Sequence, residues 1–241
     1  MIKSIFRRLL TPVRLPDPAP EQPLTIIGDV HGRADLLDQA LAAASGSQTI
    51  LVGDYIDRGE KSAQVLRQLT ENPNLVCLMG NHEDMLLQFL DDPNRHGQRW
   101  LRFGGLQTLA SFGIAGAIQT SNSKQLEVAC DRLKAAMGSD LIGWIRALPS
   151  IWQSGNVAIA HAGADPSLPL DMQDTHILRW GHPAFGITAR TDGMWVVSGH
   201  TIVEIPTVKN GTINVDTGAY ATGRLSMARI SDQSVAFETF S

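Results

Sequence analysis

The sequence predicts an α/β fold: a mixed β sandwich of two sheets flanked by helices, with a helical cap inserted between strands. Three observations predict it. Apolar strand-like runs alternate with amphipathic helical stretches from residue 24 to about residue 80; residues 84–150 turn helical and irregular; the remainder returns to short strands at turn-like intervals. At 241 residues the chain can bury the core of one such domain.

Taken in order, the elements justify that reading. The first twelve residues, MIKSIFRRLLTP, set three basic residues among Ile2, Ile5, Phe6, Leu9 and Leu10. They lack a long apolar stretch or a small-residue cleavage site, so they are no secretory signal. A short helix packed on its own domain, or a frayed end, is favoured over a membrane-surface helix. Pro12, Pro16, Pro18, Pro20 and Pro23 then make a stiff extended linker. Residues 1–23 are therefore read as an N-terminal segment, and residues 24–241 as the domain.

Leu24-Thr25-Ile26-Ile27 is a strand, Gly28-Asp29-Val30-His31-Gly32 a loop, and residues 33–44 a helix with Leu36, Leu37, Ala40 and Leu41 on one face. The unit repeats. Thr49-Ile50-Leu51-Val52 leads into Gly53-Asp54-Tyr55-Ile56-Asp57-Arg58-Gly59 and a helix over 62–70, and a third strand over 75–79 feeds Gly80-Asn81-His82-Glu83. Strands of this buried type alternating with helices predict a sheet that is parallel in this half. In the cap the spacing predicts helices over 84–90, 100–112, 126–136 and 141–148, with the aromatic residues Trp100, Phe103 and Phe112 packed in its core. Beyond it, strands over 157–160 and 194–197 run into His161-Ala162-Gly163 and Ser198-Gly199-His200. Further strands follow over 206–208, 212–215, 225–230 and 234–238, with Asn210-Gly211 a hairpin turn.

Composition narrows the classes of function. With 43% hydrophobic and 18% charged residues the chain has the balance of a soluble globular enzyme. No apolar run approaches the ~20 residues needed to span a bilayer. A formal charge of -4 argues against a dedicated nucleic-acid binder. The two cysteines, Cys77 in a strand-like run and Cys130 in a helical one, read as small buried residues in a reducing, cytoplasmic compartment.

The chemistry lies at the strand ends. An Asp and a His two residues apart in extended backbone project to the same side and can share one ion, so Asp29 and His31 form a candidate metal corner. Four later strands end the same way, in Asp54/Asp57/Arg58, Asn81/His82, His161 and His200. Each alone has a structural reading: Asp as a cap, Asn as a turn residue, His as a satisfied core residue. Ligands in open α/β sheets bind at the carboxyl ends of strands, so these residues should converge in one crevice. Imidazole, carboxylate and amide oxygen without thiolate suit Mn, Fe, Zn or Mg. The ligands are too many for one ion; two ions roughly 3.5–4 Å apart would share a carboxylate and a bridging hydroxide, the arrangement used for in-line attack on phosphorus. Arg58 fits, since a planar guanidinium can hold two phosphoryl oxygens.

GDVHG, GDYIDRG, GNHE, HAG and the later GH together resemble the signature of the calcineurin-like metallophosphoesterases, specifically the phosphoprotein phosphatase branch with its bacterial and phage serine/threonine protein phosphatases. The motifs span most of the chain, from Gly28 to His200. The resemblance implies a di-metal phosphatase, commonly Mn2+-dependent. By position, Asp29, His31 and Asp54 would bind the first metal, Asp54 bridging to a second completed by Asn81, His161 and His200. It implies His82 as the general acid on the leaving oxygen, Asp57 as the group that orients it, and Arg58 as a phosphoryl ligand. Arg179 is the candidate second phosphate-binding arginine, with Arg190 its competitor. Asp216, in Asn214-Val215-Asp216-Thr217-Gly218, is assigned a structural role. The Ser-Ala-Pro-Asn-Tyr stretch of the eukaryotic branch is absent.

The expected substrate is a phosphorylated protein or peptide, or a small phosphoester. The alternative is a dinucleotide polyphosphate hydrolase of the diadenosine tetraphosphate type, which base-stacking aromatics in the cap would favour. The oligomeric state is not legible in the sequence.

Overall fold

A computed structural model of the chain describes residues 15–44 and 46–241; the amphipathic segment read from the first twelve residues lies outside them. The first layer comprises β1 (Leu24–Ile27), α1 (Ala34–Ala43), β2 (Gln48–Leu51), α2 (Ser62–Thr70) and β3 (Val76–Cys77). Helices follow: α3 (Asn81–Asp91), α4 (Pro93–Trp100), a π-helical turn over Leu101–Gly105, α5 (Leu106–Ser111) and α6 (Ser123–Arg146). Then come β4 (Ile151–Ser154), β5 (Val157–Ala160), α7 (Thr175–Trp180), β6 (Trp195–Ser198), β7 (Thr207–Lys209), β8 (Thr212–Asn214), α8 (Ala219–Thr222), β9 (Leu225–Ser231) and β10 (Ser234–Phe240).

Among the described residues these strands form two five-stranded sheets, ordered β10-β9-β1-β2-β3 and β4-β5-β6-β8-β7. The pairs β1·β2, β2·β3, β5·β6 and β6·β8 are parallel, and β1·β9, β9·β10, β4·β5 and β7·β8 are antiparallel. The mixed two-sheet architecture flanked by helices is the one the sequence predicts. Alternation along β1 divides its apolar residues between two cores. Leu24 and Ile26 join Ile50, Val157, Ile159, Val197 and Ile213 between the sheets, while Ile27 joins Leu36, Leu37, Leu66, Phe89 and Trp100 under the helices. Each fully buried Leu or Ile contributes about 1.5–3 kcal/mol, so both faces of β1 hold it in place.

Local chemistry accounts for several boundaries. Asn210 (φ 52°) and Gly211 (φ 77°) are both left-handed, as a two-residue turn between β7 and β8 requires. Asp92 accepts a hydrogen bond from Arg95 N at the start of α4, with Pro93 in the first turn. Asn122 and Gln125 exchange capping bonds at the start of α6. The two helices expected over 126–136 and 141–148 are both present within α6, divided at Gly138, whose backbone (φ 76°, ψ 163°) is non-helical.

Three features differ from expectation. The stretch 100–112 is not one helix: α4 ends at Trp100 and the π-helical turn carries Gly104 at φ 115°. β4, α4, α7 and α8 were not anticipated; all are short, and none has the apolar period that would reveal it. Phe103, expected in the packed interior, is 48% exposed on the π-helical turn. Within residues 15–23, Ala19 N donates to Asn156 Oδ1 (2.7 Å), Trp195 Nε1 to Pro16 O (2.8 Å) and Gln233 N to Pro18 O (2.8 Å). These bonds fasten the proline-rich stretch to turns and strands of both sheets.

Candidate metal centre

The residues predicted from the strand ends lie along one rim. Asp29 and His31 follow β1, Asp54, Asp57 and Arg58 follow β2, Asn81 and His82 open α3 just past β3, and His161 and His200 follow β5 and β6. The two sheets meet here, since His161 Nε2 lies 3.3 Å from Asp54 Oδ1. Of the seven non-glycine residues with positive φ among the described residues, five belong to this set: His31, Asp54, Asp57, Arg58 and His200. Such backbone costs on the order of 1–3 kcal/mol per residue and concentrates where surrounding contacts over-determine it.

Asp54 sits at the centre. Its Oδ2 faces His31 Nε2 at 3.5 Å and its Oδ1 faces His161 Nε2 at 3.3 Å, so each oxygen addresses a different histidine. Two ligand groups result, His31/Asp54/His82 and Asp54/His161/His200, each with its donor atoms within 4.8 Å of one another. Asn81 Oδ1 joins the second, 2.9 Å from His161 Nε2 and 2.8 Å from His200 Nδ1. His31 Nδ1 donates to Ile56 O (2.8 Å) and His161 Nδ1 to Val52 O (3.2 Å), which turns both Nε2 lone pairs inward.

Burial keeps these imidazoles neutral, drawing His31 down to about 3 and His161 to about 4. Burial alone would raise Asp54, but His161, His82 and His31 outweigh it and hold the carboxyl below its ordinary range. The inward atoms are therefore acceptors at close quarters: a carboxylate oxygen, an amide oxygen and neutral imidazole nitrogens. A divalent cation satisfies such a set, and the residues fit one ion on each side of Asp54. Asp29 is buried beside them, its two oxygens accepting from His200 N at 3.2 and 3.0 Å. Burial, Asp216 and Asp54 raise its carboxyl well above the usual range. The grouping around His31 thus contains His82, with Asp29 adjacent through the His200 backbone.

His82 is tied to Asp57, Nδ1 to Oδ2 at 2.7 Å, while its Nε2 is buried without a hydrogen-bond partner. Burial lowers the imidazole, but the charge of Asp54 and the bond to Asp57 outweigh it and leave it above its ordinary value. Sequence reasoning missed what holds Asp57. Trp100 Nε1 donates to Oδ2 (3.0 Å), Thr108 Oγ1 donates to Oδ1 (2.6 Å), and Asp57 N donates to Ser62 and Thr108 hydroxyls. Glu83, quoted in GNHE but given no role, accepts Asp54 N and Tyr55 N at 2.8 Å and Gly80 N at 3.1 Å. It locks the β2 and β3 loops together, and its place in the third position of α3 was the available signal.

Arg58 reaches the same rim, with Nη1 3.3 Å from His31 Nε2. Arg179 lies on α7, which packs against α3; it donates to Ser150 Oγ (2.8 Å) and pairs with Asp84 (3.2 Å). Arg190 is engaged elsewhere, pairing with Asp192 and donating to the carbonyls of Asp165 and Leu168. Asp216 accepts Gly218 N at 2.8 Å and so shapes the turn before α8; burial pushes its carboxyl up to about 6.

Residues 22–204 match the family model for calcineurin-like phosphoesterases. The chain belongs to that family. This phosphoesterase is 30% identical over 222 residues to serine/threonine-protein phosphatase 2 of Escherichia coli, covering 85% of this chain and 91% of that one. It is 27% identical over 239 residues to the asymmetrical bis(5'-nucleosyl)-tetraphosphatase PrpE of Oceanobacillus iheyensis, covering 87% and 89%. A metallophosphoesterase structure from Sphaerobacter thermophilus shares the fold, with a TM-score of 0.57 at 14% identity over 91% of this chain and 88% of that one. The phosphoesterase is thus a hydrolase of a family built on a dinuclear divalent metal site. No helix among its described residues is long and apolar enough to cross a membrane.

Proposed function

We propose that this phosphoesterase is a metal-dependent phosphomonoesterase that acts on phosphoserine or phosphothreonine in proteins. The observation that carries the reading is His82. Its Nε2 is buried without a partner and faces Asp54 Oδ2 at 3.9 Å, while Nδ1 is fixed by Asp57. A histidine so placed can deliver a proton from Nε2 to an alkoxide leaving group, and Asp57 stabilises the cation that carries it. Asp29, His31 and Asp54 would hold one ion, and Asn81, His161 and His200 the other with Asp54 shared; the nitrogen and oxygen donors suit Mn2+, with Fe, Zn or Mg as substitutes. Two such ions supply an activated water for in-line attack and neutralise phosphoryl charge. Arg58 binds the phosphoryl oxygens. Arg179 is the second phosphate-binding candidate from its place beside α3, and its pairing with Asp84 competes with that role. Residues 84–150 act as the cap that selects substrate, and the reduced, buried Cys77 and Cys130 suit the cytoplasm.

The second reading is hydrolysis of dinucleotide polyphosphates. It is supported by the likeness to the asymmetrical tetraphosphatase and by exposed Phe103, an aromatic surface one residue from Gly104, whose carbonyl accepts Arg58 N (3.3 Å). Incubating the Mn2+-loaded protein with a phosphothreonine peptide and with diadenosine tetraphosphate side by side separates the two. Faster turnover of the peptide, read as released phosphate, than of the dinucleotide, read as released nucleotides, is the expected result. Turnover confined to the dinucleotide overturns the first reading.

A further inference from the structure

Tyr220, the second residue of α8, stands in the candidate centre without any role in the reading so far. The Arg58 guanidinium lies over its ring, Cζ 4.6 Å from the centroid. The same ring meets His31 edge-on at 5.2 Å and 80°. Arg58 forms no ion pair with a carboxylate among the described residues. Apart from Nη1 near His31, the face of Tyr220 is what fixes its head group.

The turn that presents Tyr220 is held independently of the ring. Asp216 accepts Gly218 N, Thr222 Oγ1 donates to Thr217 O (2.7 Å), and Arg33 Nη1, just past the GDVHG loop, donates to Ala219 O (2.9 Å). Tyr220 itself is 37% exposed, so exchanging it leaves the packed cores intact.

We propose that Tyr220 is the positioning residue for Arg58: its ring covers one face of the guanidinium and leaves the in-plane N–H edge free to take two phosphoryl oxygens. The physics is that of a cation over an aromatic face, which restrains a long side chain without consuming any of its donors. A carboxylate partner would hold Arg58 as firmly but would occupy the fork that phosphate needs. The proposal rests on the phosphoesterase reading of Arg58, and it predicts a loss specific to anion binding.

The test is calorimetric titration of inorganic phosphate into the Mn2+-loaded protein, with metal content and melting temperature measured in parallel. Y220L is expected to weaken phosphate binding roughly 5- to 30-fold, the scale of a cation–π contact, with metal content unchanged. Y220F keeps the ring and is expected to retain affinity within about twofold. In an R58Q background, Y220L is expected to add nothing, because the two act as one unit. Wild-type affinity in Y220L overturns the proposal, as does an equal further loss in R58Q. If the wild-type protein takes up both ions and binds no phosphate, the phosphoryl role of Arg58 fails first and the proposal falls with it.

Discussion

Trp100 Nε1 donates to Asp57 Oδ2 at 3.0 Å, the same oxygen that takes His82 Nδ1 at 2.7 Å. Trp100 ends α4, and Thr108, bonded to the other oxygen, lies on α5. The helices inserted after β3 therefore reach into the centre and fix the carboxylate that orients the candidate acid.

Removing the indole donor tests that coupling. Trp100→Phe keeps the apolar ring in the core but leaves a buried carboxylate with one donor fewer. A hydrogen bond to a charged group is worth about 1.5–3 kcal/mol, and denaturant unfolding is expected to show a loss of that size. Turnover should fall with it, since His82 loses its fixed orientation. Thr108→Val should act in the same direction. Wild-type stability and activity in both variants would disprove any hold of the inserted helices on Asp57.

This coupling explains what the sequence could and could not disclose. The candidate ligands were legible because Asp29, His31, Asp54, Asn81, His161 and His200 lie in short loops just past apolar runs, while their division between two ions came from the resemblance of those motifs to a family. The parallel pairing of β1 with β2 was legible from buried runs and a helical connection, whereas the parallel pairing of β5 with β6 was not. Trp100 and Thr108 were not, because 43 and 51 residues separate them from Asp57 and their types read equally well as core. Tyr220 reads as an ordinary residue of a turn until Arg58 is placed over it. β3 measures two residues within the strand read over 75–79, and its place at the sheet edge follows from its pairing with β2.

The role of His82 predicts dependence on the leaving group. His82→Asn should retain both ions while slowing hydrolysis of alkyl phosphates ~10²–10⁴-fold, the usual contribution of a general acid. Substrates with strongly acidic leaving groups need little protonation and should lose much less. Comparing a phosphoserine peptide with dinitrophenyl phosphate measures this directly. Equal losses on both would remove His82 from proton transfer.

Asp54 faces both ligand groups, so neutralising it should weaken metal binding throughout. Asp54→Asn is expected to bind less than the full complement of Mn2+ at equilibrium dialysis. Its melting temperature should also respond less to added Mn2+: a ligand at 100 times its dissociation constant stabilises by about 2.7 kcal/mol, and the variant forfeits much of that. Two tightly held ions in the variant would rule out a shared carboxylate.

Gly104 tests whether the π-helical turn shapes the phosphate site or merely connects two helices. Its φ is 115°, and a Cβ there would lie 2.5 Å from Arg58 N and 3.1 Å from Asp57 Cβ. Gly113 is also left-handed, at φ 77°, but a Cβ there meets nothing within 4 Å. Alanine at either position carries the cost of left-handed backbone, about 1–2 kcal/mol. Only Gly104→Ala also pushes the chain away from Arg58 and Asp57. It should therefore be the less stable variant and should bind inorganic phosphate more weakly, while Gly113→Ala keeps wild-type affinity. Equal stability and equal phosphate affinity in the two variants would show that the close approach at Gly104 has no bearing on the site.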